Sequence, residues 1–162
     1  MICSGFEGRT SCNGGSRPLH AGLDFGAPFG TEVISATHGT FVERTYHECS
    51  GHGFIVRTDI RAKHGEVEGP VYAIYAHAEA LPHLKKGDRL KPGDPLGKII
   101  VLRGTRCYGT REHVHYELRV GRSSKRYINP HPYWLDGPDK PSCFRDGVEV
   151  PPGKTVAPLR CY

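Results

Sequence analysis

The chain reads as an all-β protein: antiparallel sheets joined by long loops, few or no helices, and disulfides as staples. Three observations carry that expectation. Its 162 residues hold 21 glycines and 13 prolines, a density of turn residues that suits short strands better than helices. Short runs rich in β-branched and aromatic residues alternate in polarity, the period of a half-buried strand. Six cysteines, even in number and with no Cys-x-x-Cys pair, point to an oxidising compartment rather than a metal ribbon.

Composition narrows the function classes. A chain of this length can close one sizeable core, and 37% of its residues are hydrophobic. The net charge of +5 suits an anionic partner. Lys and Arg are scattered, however, with no basic helix and no stacked-aromatic motif, so nucleic acid is not an expected partner. No apolar run approaches the ~18 residues of a membrane span. The first residues, Met-Ile-Cys-Ser-Gly-Phe-Glu-Gly, lack the basic and apolar regions of a signal peptide. A monomer is expected.

In chain order, residues 1–16 carry Cys3, Cys12, Gly14 and Gly15 and read as a disulfide-closed loop. His20-Ala-Gly22-Leu-Asp24 follows. Gly22, Gly26 and Pro28 disfavour a helix there. A straight strand would hold His20 and Asp24 roughly 13 Å apart. For the two to share one ion the chain must bend, and Gly22 is the residue that allows it. Phe25 should then face the core.

Strands are expected at residues 32–36, 39–46 and 53–60, where β-branched and aromatic residues cluster. Residues 62–70 read as a polar hairpin loop. Residues 71–77 read as a strand ending on His77, and 78–84 as one helical turn. Paired turns are expected from Gly87 to Gly97, then a strand at 98–102 and a loop around Cys107. Residues 112–120 alternate cleanly: His113, His115, Glu117 and Arg119 on one face, Val114, Tyr116, Leu118 and Val120 on the other. His113 and His115 thus point the same way, about 7 Å apart. The last 27 residues read as an extended flap or terminal hairpin. The expected disulfides are Cys3–Cys12 and Cys143–Cys161, pinning the ends, and Cys49–Cys107, bracing the loops near Gly53 and His113.

The order of motifs resembles one family. His20-x-Gly22-x-Asp24, Tyr75-x-His77, the Gly87-Asp88 to Gly97 hairpin, His113-x-His115 and Asn129-Pro130 resemble, in sequence, the lysostaphin-type or LytM-like zinc endopeptidases of the duplicated hybrid motif fold. The likeness runs from about Arg17 to Leu135. It implies residues 1–16 as an N-terminal loop, 17–135 as the catalytic domain, and 136–162 as an extension packed on it. It implies zinc held by His20, Asp24 and His115, with His113 as general base and His77 stabilising the water or the oxyanion. These last two roles are interchangeable on sequence grounds. Two departures stand out: Thr110-Arg111-Glu112 before His113 where Gly-Pro is usual, and Ala78 where leucine is common.

The implied activity is hydrolysis of peptidoglycan peptide crosslinks, D-Ala–diaminopimelate or glycine-rich bridges, by a periplasmic or secreted enzyme. Two other readings use the same fold: a zinc-retaining binding or regulatory protein without catalysis, and an antibacterial effector with the same hydrolase chemistry. The presence of both His77 and His113 favours an enzyme. The remaining histidines, His38, His47, His52, His64, His83 and His131, are expected to be surface or hydrogen-bonded residues, with His52 near the site if Cys49 pairs with Cys107.

Overall fold

The computed structural model describes residues 2–7, 20–101 and 111–161. Among these there is no α-helix, only a short 3-10 turn at His131–Tyr133. The strands are β1 (Ile2–Ser4), β2 (Leu23–Gly26), β3 (Glu32–Ile34), β4 (Gly39–His47), β5 (Gly51–His64), β6 (Val67–Ala76), β7 (Ala78–Ala80), β8 (Arg89–Leu90), β9 (Pro95–Ile99), β10 (His113–Val120) and β11 (Tyr127–Ile128). A large antiparallel sheet runs β1-β2-β10-β6-β5-β4-β8, with β11 also on β10. A small sheet runs β3-β9-β7.

The core fills the space between the two sheets. Phe54 and Val56 of β5, Ala73 and Tyr75 of β6, and Val114, Tyr116, Leu118 and Val120 of β10 meet Val33, Ala78, Leu96 and Ile99 from the small sheet. The Phe54 and Tyr75 rings stack at 4.9 Å, and Tyr75 meets Tyr116 edge to face at 5.3 Å. The Tyr75 hydroxyl is not wasted, since it accepts the Ala36 amide at 3.0 Å. The alternation in β10 therefore has the predicted sense. One face feeds the core, and the other carries both histidines, His113 and His115.

Several local expectations give way to longer-range pairing. Residues 62–70 are not a loop. β5 and β6 continue as a two-stranded ribbon closed by a two-residue turn with Gly65 at φ 58°, as such a hairpin requires. Polar side chains there misread as loop because the ribbon faces water on both sides. Ala78–Ala80 is strand β7, not a helical turn, because β9 supplies its ladder. That small-sheet strand is β9, Pro95–Ile99, offset from the expected 98–102. Within residues 1–16, Ile2–Ser4 is a strand paired with Phe25 and Asp24 rather than loop.

The C-terminal residues form no hairpin. One isolated parallel bridge, Trp134 with Thr155, joins them to the body, and a second, Phe144 with Arg160, lies within the segment itself. Val156, Ala157 and Leu159 are buried, and Val156 donates its amide to Ala36. Cys143 and Cys161 are bonded, with Cα atoms 5.7 Å apart. Cys49 is also disulfide-bonded. The Cys3–Cys12 and Cys49–Cys107 pairings lie outside the described residues.

Candidate metal centre

β10 sits between β2 and β6, which makes it the spine of the site. In that register His115 lies opposite Asp24 on one side and Ala76 on the other. His20 and Asp24 do come together, because the chain bends at Gly22 just before β2 begins. The need for glycine is steric: a Cβ at position 22 would run into the Tyr116 carbonyl and the His115 ring. The backbone of β10 passes too close for any side chain.

His20 Nε2, Asp24 Oδ1 and His115 Nδ1 form a small triangle. The edges are 3.1 Å between His20 and Asp24, 3.1 Å between His20 and His115, and 2.9 Å between His115 and Asp24. Zinc bonds of about 2.0–2.1 Å imply tetrahedron edges of roughly 3.3 Å, close to this triangle. The tautomers make the same point. His20 Nδ1 is 2.7 Å from the Gly5 carbonyl, so that nitrogen is the donor and Nε2 keeps its lone pair. His115 Nε2 faces Glu117 Oε2 at 3.3 Å, so Nδ1 keeps its lone pair. Two lone pairs and a carboxylate oxygen thus converge on one point, an arrangement that asks for a cation.

Without a metal, a proton takes that place. Burial alone would push His115 down, but the hydrogen bonds to Asp24 and Glu117 outweigh it and raise it to about 9. Burial likewise opposes ionisation of Asp24, yet His115 and His20 hold its carboxyl far below the usual range. The sign for stability follows. The raised His115 stabilises the metal-free fold fully below its unfolded value of 6.5, and that stabilisation disappears as pH rises through about 9. The depressed Asp24 contributes above about 3.8 and is lost in acid. The metal-free protein should therefore lose melting temperature between pH 6.5 and 9, by the equivalent of up to ~3 kcal/mol. The metal-loaded protein should not. Melting curves across that range check it, and parallel curves for the two forms would contradict it.

His77 and His113 sit beside the triangle without joining it. Their rings are 4.6 Å apart. His113 Nε2 lies 3.7 Å from Asp24 Oδ1 and, among the described residues, is buried with no hydrogen-bond partner. Its Nδ1 is 2.8 Å from the Arg111 carbonyl. His77 Nδ1 is 2.9 Å from the Ser50 carbonyl. Burial first, then the charges on His113 and His115, push His77 down to about 3, so it is neutral near pH 7. Its backbone has φ 62°, a left-handed turn that carries the chain from β6 into β7.

The sequence left out three supporting groups. Glu117 orients His115 and is itself gripped by Arg119. The Gly5 and Ser50 carbonyls fix the tautomers of His20 and His77. Glu117 was visible as the next residue on the histidine face of β10; the two carbonyls carry no sequence signal at all. The other histidines behave as expected. His38 bonds the Val150 carbonyl, His47 the Cys49 amide and His131 the Trp134 indole, while His52, His64 and His83 are exposed.

The profile of Peptidase family M23 matches residues 18–130, well over half of the chain. The chain belongs to peptidase family M23. It is 27% identical over 116 residues to an uncharacterized metalloprotease of Buchnera aphidicola, a match covering 68% of this M23 chain and 25% of that protein. The chain thus spans a quarter of that relative's length. Its fold is similar to the catalytic domain of the prophage-encoded M23 protein EnpA of Enterococcus faecalis, with TM-score 0.55, 26% identity, and 80% and 88% of the two chains covered. It is also similar to the catalytic domain of the antimicrobial peptidase lysostaphin of Staphylococcus simulans, with TM-score 0.56, 23% identity, and 82% and 87% covered. The LytM-like likeness of the motifs and the all-β fold therefore agree. Among the described residues of this M23 chain, no helix is long and apolar enough to cross a membrane.

Proposed function

We propose that this M23 chain is a zinc endopeptidase that hydrolyses peptide crosslinks of peptidoglycan. The observation that carries the reading is the convergence of His20 Nε2, Asp24 Oδ1 and His115 Nδ1, beside the His77 and His113 rings that stand outside that triangle. Zinc held by those three atoms would polarise the scissile carbonyl and make a water acidic near neutral pH.

The remaining chemistry belongs to the chain. With both Nδ1 atoms donating to backbone carbonyls, His113 and His77 each keep the lone pair on Nε2. His113 takes the proton of the attacking water as general base and later returns it to the leaving amine. His77, neutral and fixed by Ser50, accepts a hydrogen bond from that water and aims it. In this tautomer it orients the nucleophile and has no Nε2 proton to offer an oxyanion. The Cys143–Cys161 bond and the bonded Cys49 support action in the periplasm or outside the cell.

Incubating purified sacculi with the zinc-loaded protein should lower their turbidity. Mass spectrometry of the released fragments should show broken peptide crosslinks on intact glycan. A chelator should stop the reaction and added zinc restore it. Activity indifferent to the chelator would overturn the metal reading, and cut glycan with intact peptides would overturn the bond class.

A further inference from the structure

Two isoleucines mark a second working surface on the large sheet. Ile55 and Ile74 are each only 8% exposed, yet they stand apart from the core between the sheets. They pair with each other across β5 and β6, and Ile74 pairs with Glu117 of β10. They therefore share the face of His115 and Glu117, opposite Tyr75 and Tyr116. The next row on that face is Arg57, Tyr72 and Arg119, in register across the same three strands. Arg119 is engaged by Glu117. Arg57 is exposed and, among the described residues, enters no ion pair.

A cavity of about 300 Å³ opens at that end of the face. Arg57, Lys86 and Arg122 line it together with Tyr72 and Thr40, and no carboxylate does. A bulge in β4 between Phe41 and Glu43 breaks the ladder beside it. Arg122 is paired with Glu43, outside the lining. Lys86, like Arg57, has no ion pair among the described residues. Two uncompensated cations with a phenol and a hydroxyl in one concavity suit an anionic group. Arg57 lies four residues along β5 from Gly53, whose row holds Ala76, His115 and Asp24. Strand geometry puts it about 13 Å along and about 10 Å across from His115, a span of roughly 16 Å. Four or five extended residues bridge that distance.

We propose that this cavity is a carboxylate subsite for the substrate peptide. It receives an acidic group carried four or five residues from the cleaved bond, with the peptide lying over Ile55 and Ile74. Glycine bridges without charge would leave it unfilled, so the site selects acidic crosslink peptides. The inference rests on the peptidase reading of the same face, and its test is separable from it.

Peptides are compared that match around the cleavable bond and differ only in Glu or Gln at four or five residues away, on each side in turn. Binding to the zinc-loaded protein is read by fluorescence anisotropy, and cleavage by kcat and KM. The Glu peptide should bind about tenfold more tightly at low salt. That advantage should vanish in an Arg57→Ala, Lys86→Ala double variant and at high salt, and persist in Lys140→Ala. In the double variant KM should rise for the Glu peptide with kcat unchanged. Equal binding of Glu and Gln peptides by the wild type, or an advantage that survives in the double variant, would overturn the subsite. A protein that distinguishes the two peptides but cleaves neither keeps the subsite and loses the peptidase reading. One that cleaves both equally well does the reverse.

Discussion

Replacing His113 with alanine is expected to lower kcat/KM by about 10²- to 10⁴-fold, the usual worth of a positioned general base, while zinc stays near one ion per chain. The loss should fall on kcat, since a general base at His113 would meet the reacting water rather than the distant parts of a substrate. The reason lies in its position. His113 Nε2 is 3.7 Å from Asp24 Oδ1, outside the tight triangle, and its Nδ1 is committed to the Arg111 carbonyl. It is held like a ligand without standing where a ligand stands. Metal analysis and steady-state kinetics on the same sample decide the matter. Loss of zinc in His113→Ala would move this residue into the coordination shell. A larger kcat loss in His77→Ala than in His113→Ala would exchange the two roles.

Replacing Asp24 with asparagine should do the opposite and empty the centre. Asp24 supplies the only anionic oxygen of the triangle, and it touches both His20 and His115 at 3.1 and 2.9 Å. Asparagine keeps the shape and removes the charge. If ~10–16 kcal/mol of zinc affinity is shared among three protein ligands, each carries about 3–5 kcal/mol, so binding should weaken roughly 10³-fold. Activity should vanish with the metal, and added zinc should no longer raise the melting temperature. Competition with a chromophoric chelator measures the affinity directly. An Asp24→Asn protein that binds zinc as tightly as the wild type would show that the metal sits elsewhere. Taken with His113→Ala, the pair of variants separates holding the ion from using it.

Much of the site was legible because strand geometry is periodic. His113 and His115 had to share a face of β10, since the alternation of Val114, Tyr116, Leu118 and Val120 left no other choice. The bend at Gly22 was legible because two candidate ligands four residues apart on a straight strand cannot meet. Cys143 with Cys161 was legible as the local pair near the end of the chain. Less legible were segments whose conformation depends on a remote neighbour. Ala78–Ala80 looked like a helical turn until β9 paired with it. Ile2–Ser4 looked like loop until Phe25 and Asp24 gave it a partner.

The sequence by itself determined which residue types stand in which order, and so the all-β class, the ligand candidates and the face of β10 that carries them. Side-chain identity and strand period are local properties, written in the chain. Only the tertiary structure decided which nitrogen of each imidazole keeps its lone pair. Gly5, Ser50 and Arg111 settle that with backbone carbonyls, and Glu117 with its carboxylate. A carbonyl is present at every position and identical in each, so no pattern of residues announces which one will end beside a histidine; that is fixed only when the strands have found their register.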